Sequence, residues 1–175
     1  MTIADGVGVL ACAVALTAPA FRADKAFKAI GLMAICLWAP YYWLQGATSG
    51  FAFMLLLGVR QVISMVAARL HPKVLGIAWF GLVLAMTACA AVTWAGWHSL
   101  LPWAASVNGA YAYWYRSSVG LRVQLFAGDC AWLAYAAIVS AWPHAIFMAA
   151  LICINLATIH RLRRETGVSS PRTAL

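Results

Sequence analysis

The chain has 175 residues, of which 65% are hydrophobic and only 9% charged, with a formal net charge of +8. A soluble core of this size cannot hide so much apolar surface, so most of these side chains must have lipid as their solvent. Long apolar runs without period-two alternation exclude a membrane β-barrel and leave α-helices, which satisfy every backbone polar group internally.

Breaks at charges, Pro and Gly divide the chain into seven apolar segments, near 5–20, 27–45, 50–68, 74–94, 99–115, 121–141 and 144–160. Each approaches the roughly 20 residues that span a bilayer as a helix. The first resembles a secretory signal at Thr17-Ala18-Pro19-Ala20, but it carries Asp5 and no Lys or Arg before Arg22, so it is read as a helix. The third holds Arg60 and Gln61, the fifth Asn108, the sixth Asp129 and the seventh Asn155. Five cysteines, Cys12, Cys36, Cys89, Cys130 and Cys153, fall inside apolar segments with no CxxC pair and are expected to behave as small buried hydrophobes. Residues 166–175 are read as a cytoplasmic tail.

Eleven of the twelve basic residues sit in short clusters at the ends of apolar stretches, Arg60 being the exception. Arg22, Lys25 and Lys28 follow the first helix, Arg69 and Lys73 the third, Arg116 and Arg122 the fifth, and Arg161, Arg163, Arg164 and Arg172 the seventh. The connections near 46–50, 96–99 and 142–144 carry none. The positive-inside rule then places the N-terminus outside and the C-terminus in the cytoplasm, and removes nucleic acid as a partner. Tyr41-Tyr42-Trp43 and Tyr113-Trp114-Tyr115 suit interfacial belts or buried packing equally.

Shifted by 94 positions, residues 21–70 align with 115–164 without a gap. Cys36 meets Cys130, Trp38 meets Trp132, Tyr41 meets Tyr135, Phe53-Met54 meets Phe147-Met148, and Gln61 meets Asn155. This pattern predicts a duplication: repeat one about 5–70, a linker helix 74–94, and repeat two about 99–164, in one membrane domain 1–165. Repeats beginning four helices apart share an orientation, which gives a 3+1+3 parallel arrangement like that of the SWEET transporters.

The Gly6-Val7-Gly8-Val9 helix ending at Phe21-Arg22, the Arg60-bearing third helix and the Asn155 helix closing on His160-Arg161-Leu162-Arg163-Arg164 carry a resemblance. Up to about Glu165 the chain resembles the YgjV-type bacterial inner-membrane protein family, itself similar to the SWEET and PQ-loop transporters. The resemblance implies a SWEET-like all-α fold, a multi-pass inner-membrane location and a transporter-like role, with no substrate named. The PQ dipeptide of the wider relatives is absent, since Pro19 precedes Ala20 and Pro40 precedes Tyr41.

A cation in the middle of a membrane helix costs from about 2.5 kcal/mol upward, which makes Arg60 and the deep acid Asp129 candidates for substrate contact. A structural pair between the two would explain them equally well. Gln61 and Asn155, with Trp38 and Trp132, are candidates to line a small polar cavity, with Asn108 a further candidate; interhelical hydrogen bonding is their ordinary alternative. His71, His98, His144 and His160 lie at helix ends without ligand spacing, so neither a metal site nor a cofactor is expected. A retinal lysine inside the bundle, a GxxxxGK[ST] loop and an HExxH motif are all absent, and no enzymatic activity is expected. The sequence therefore points to a small carrier or facilitator for a small polar or anionic solute. The alternative is a non-transporting scaffold or regulatory protein of the inner membrane, and a homo-oligomer is left open for either.

Overall fold

The computed structural model describes residues 2–17, 24–112 and 118–168. Arg22, Tyr113-Trp114-Tyr115, Arg116 and Arg172 lie outside the described residues, as do the side chains of Lys25, Arg122, Arg161 and Arg163. Seven α-helices and no strand occur among the described residues: α1 Ile3–Thr17, α2 Asp24–Leu44, α3 Thr48–Val66, α4 Pro72–Val92, α5 Leu100–Ala112, α6 Ser118–Ile138 and α7 Trp142–Val168. Polar residues cap the starts of α1 and α4. Thr2 Oγ1 accepts from the Asp5 N–H (3.1 Å) while Asp5 Oδ2 accepts from the Thr2 N–H (2.8 Å), a reciprocal cap that explains the acid at the head of an apolar helix. α4 starts on Pro72, with the His71 ring accepting from the Lys73 N–H.

By length and composition, three helices can cross a membrane: α3, α4, and Trp142–His160 of α7. α1 has 15 residues, the described part of α5 has 13, and α2 and α6 carry charged residues among their apolar ones. α7 differs from the sequence reading, because it runs without a break through the basic cluster to Val168, into the stretch assigned to the tail. Its last turns need no lipid, since a helix satisfies its backbone in water or membrane alike.

α2 packs along both α1 and α3, and α6 along both α5 and α7. α1 meets α7 and α3 meets α5, so these six helices close a ring, with α4 lying outside against α3 and α5. α4 buries only Leu82, Met86 and Ala90 and leaves Ile77, Phe80, Leu84 and Val92 exposed. Cys36 and Cys153 are exposed and Cys12, Cys89 and Cys130 half-buried, all free, which corrects the expectation of buried cysteines. On a lipid-facing surface an apolar side chain needs no burial. Tyr41 and Tyr42 are wholly buried and form no belt, whereas Trp43, Trp94, Trp97 and Trp142 are exposed at one end of the bundle.

One turn occurs twice. α2 ends with Gly46 at φ +70°, where the Gly46 N–H donates to Trp43 O (3.0 Å) and the Ala47 N–H to Tyr42 O (3.0 Å). α6 ends with Ser140 at φ +57°, where the Ser140 N–H donates to Ala137 O (3.2 Å) and the Ala141 N–H to Ala136 O (2.8 Å). Both are Schellman caps, and every participating residue in the second lies 94 positions after its equivalent in the first.

Candidate functional site

Five of the candidates from sequence share one cavity. About 260 Å³ in volume, it is bounded by the six helices of the ring, with Arg60, Gln61, Asp129, Trp38 and Trp132 on its walls beside His144 and Phe147. Gln61, Asp129 and His144 are each held there by a specific neighbour.

Arg60 projects from α3 toward α5, where Gly109 makes room for it: a Cβ on Gly109 would stand 2.6 Å from the guanidinium Nη1. Arg60 also borders a second cavity of about 400 Å³, with Lys28, Ser64 and Trp79 on its wall. Its side chain thus lies where the two cavities adjoin. Lys28 Nζ donates to Ser64 O (3.1 Å), placing the cation against a carbonyl near the C-terminal end of α3, where the helix dipole favours it. The next residue, Gln61, turns the other way, toward α2. Its Nε2 donates to Lys28 O (3.0 Å), and Gly31 leaves it space. Gln61 is therefore both a cavity wall and a clamp between α2 and α3.

Asp129 is held from α7, where Asn155 Nδ2 donates to its Oδ2 at 2.6 Å. Asn155 is buried and does not line the cavity itself; it acts on the cavity through the carboxylate it holds. No ion pair joins Arg60 to Asp129 among the described residues. The two face the same cavity from different helices, so the structural pair considered from sequence is not formed. Asn108 stands apart from the cavity, its Nδ2 donating to the backbone carbonyl of Gln124 and tying α5 to α6.

One end of the cavity is closed by aromatic rings. Trp38 stacks on His144 at 4.2 Å between centroids and 28° between planes, with Trp132 at 5.6 Å and Phe147 at 6.2 Å from the same imidazole. The Tyr42 hydroxyl is hydrogen-bonded to His144 Nδ1, and the Gly50 N–H donates to the Tyr135 hydroxyl (2.9 Å). Sequence reasoning missed His144, which is 1% exposed, because it weighed this histidine at a helix end only as a metal ligand. The offset of 94 held a signal: Tyr42 and Gly50 correspond to Ala136 and His144, so large and small residues change places between the repeats. Gly50 has no room for a Cβ, which would lie 2.6 Å from the Tyr42 ring, and His144 fills the matching space beside Ala136.

A family model described as bacterial inner membrane protein, Imp-YgjV, matches residues 2–166. The chain belongs to the Imp-YgjV family of bacterial inner membrane proteins. The Imp-YgjV match takes in every residue that lines the central cavity, along with the aromatic cluster. No curated protein and no solved structure matches the chain.

Proposed function

We propose that this Imp-YgjV protein is a small carrier or facilitator for a polar solute rather than an enzyme. It is read as spanning the inner membrane seven times, with the N-terminus outside, as one domain over 1–165. The observation that carries this reading is the central cavity. A void bounded by both triplets of helices, with a cation, an acid and an amide on its walls, is a costly feature in a membrane bundle and suits a polar ligand. The 3+1+3 parallel arrangement is supported by the repeated cap, by α2 and α6 beginning and ending 94 residues apart, and by the matching contacts of α1 with α7 and α3 with α5. SWEET-like alternation about an axis along the membrane normal is the corresponding mechanism. The aromatic rings would close the outer end, and Arg60 would separate the cavity from the cytoplasmic side.

The test is thermal stabilisation of the purified protein by a panel of sugars, polyols, carboxylates, amines and amino acids, followed by solute flux into proteoliposomes. A ligand present at about a hundred times its Kd adds about 2.7 kcal/mol of apparent stability. The carrier reading expects at least one class to stabilise and to cross. Stabilisation by none, together with tight empty vesicles, would leave the scaffold reading in its place.

A further inference from the structure

We propose that Asp129 is a proton-binding site that couples solute movement to the proton gradient, taking up one proton as a neutral or anionic solute binds. This rests on the carrier reading and names what drives it. The chain has four acidic residues. Asp5, Asp24 and Glu165 fall near helix ends, whereas Asp129 stands in the middle of α6 and on the wall of the central cavity. Asn155 Nδ2 donates to its Oδ2 at 2.6 Å, which is the carboxyl's hydrogen bond among the described residues and leaves Oδ1 to the cavity. The first repeat shows that such a tie between helices does not call for an acid. There Gln61, 94 positions before Asn155, ties α3 to α2 through the carbonyl of Lys28, and Ile35 stands where the second repeat has Asp129. A carbonyl accepts an amide N–H but takes up no proton, so the carboxyl adds to the clamp a capacity that the clamp itself does not use.

Both protonation states fit the same geometry. Ionised, the carboxyl accepts from Asn155 and turns its charge to the water of an open cavity. Protonated on Oδ1, it is neutral and still accepts through Oδ2, so the clamp between α6 and α7 survives the change. A solute that fills the cavity displaces that water, and an ionised carboxylate enclosed with a neutral or anionic solute is costly. Such a solute binds the neutral form better, and by linkage it draws a proton in as it binds. The proton comes from water on one side of the membrane, rests on Oδ1, and returns to water on the other side when the solute leaves; no other bond is made or broken. The other ionisable groups on the cavity wall are Arg60 from α3 and His144 from α7, the latter with Nδ1 engaged by the Tyr42 hydroxyl, while α2 and α5 bring Trp38, Ala105 and Gly109, none of which titrates. The turn Trp97–Ser99, which also packs on α6, carries His98 against Tyr135, farther along the helix. A metal cation would ask for several oxygen ligands converging on one point, whereas the partner at Asp129 is an amide N–H, which suits a carboxyl oxygen and repels a cation.

The experiment reads the proton first and the solute second. Infrared difference spectra of the purified protein in lipid, taken between mildly acid and mildly alkaline pH, should show a carboxylic acid C=O band that Asp129→Asn lacks; with so few acidic residues the assignment is direct. Uptake of glucose, sorbitol, gluconate, choline and alanine into proteoliposomes is then followed with the outside acid and without a gradient, at zero membrane potential and against protein-free vesicles. One proton per solute lets a gradient of about one pH unit drive accumulation of up to about tenfold. The wild type should accumulate a neutral or anionic solute toward that limit, Asp129→Asn should not raise it above the outside concentration, and Asp129→Glu should restore part of the effect. Wild-type and Asp129→Asn spectra that do not differ, equilibration of the solute without accumulation, a response to a sodium gradient in place of the proton gradient, or loss of accumulation in His144→Gln with its retention in Asp129→Asn would each overturn the coupling, and a solute that still crosses would leave the carrier standing. Crossing by none of the five would overturn the carrier reading and the coupling with it. If Asp129→Asn fails to fold, the response of the wild type to the gradient decides.

Discussion

The carboxylate of Asp129 is tied to an amide on the neighbouring helix, not to the arginine across the cavity, and the two partnerships differ in their energetics. A hydrogen bond between membrane helices contributes about 0.6 kcal/mol on average and about 1.7 at most, whereas breaking a buried ion pair costs about 3 to 5 kcal/mol. A double-mutant cycle on Asp129→Leu and Asn155→Leu should therefore show coupling within the first range. The cycle on Arg60→Leu and Asp129→Leu should show less than about 1 kcal/mol, read from unfolding in mixed micelles. Recovery of several kcal/mol in the Arg60/Asp129 double variant would mean that the charges pair after all. Arg60, Gln61 and Asp129 were legible as cavity residues because a polar group inside an apolar segment is expensive unless it meets protein or a ligand, and Trp38 and Trp132 because they meet at the offset of 94. Asn108 and His144 were not. Which face of a helix meets which neighbour is decided by packing, and packing turned Asn108 onto a backbone carbonyl and His144 into the aromatic cluster.

The two caps show how one backbone motif is carried by different residues. At Gly46 the left-handed conformation has no side chain to strain, but Ser140 adopts it with a Cβ, at about 1 to 2 kcal/mol for an ordinary L-residue. Ser140→Gly should raise stability by up to about 1 kcal/mol with the fold unchanged, and Gly46→Ser should lower it by a similar amount, both measured by thermal or denaturant unfolding. A loss of stability on Ser140→Gly would show that the side chain does more there than tolerate the turn. Helix number and approximate limits were readable from the apolar runs. The end of α7 was not, because charges mark where a helix leaves the membrane, which is a different matter from where its hydrogen bonds stop.

For the bundle as a whole, the exposed Trp43, Trp94, Trp97 and Trp142 gather at the end opposite Lys28, Arg69 and Lys73, as an outer interface opposite a cytoplasmic one would require. In a background without the native cysteines, Thr48→Cys and Ala95→Cys should react with an impermeant thiol reagent in intact cells, and Lys73→Cys only after permeabilisation. The reverse pattern would invert the orientation. Ser99, although in the same connection as Ala95, is unsuitable because it is buried, its hydroxyl accepting from the Ala95 N–H. The ring closes where the first helix meets the last. Gly8 lies so close to the Tyr41 ring and Pro143 that a Cβ would stand 2.8 Å and 3.0 Å from them, and Cys12 Sγ donates to Pro143 O across 131 positions of sequence. Synthesis delivers those partners at opposite ends of its time course. α1 is made before α7 and can settle at once on α2, but its Gly8 face does not meet Pro143 until α7 is made. Closing the ring is thus a docking between an early and a late helix. Until it happens, the central cavity lacks its α7 wall.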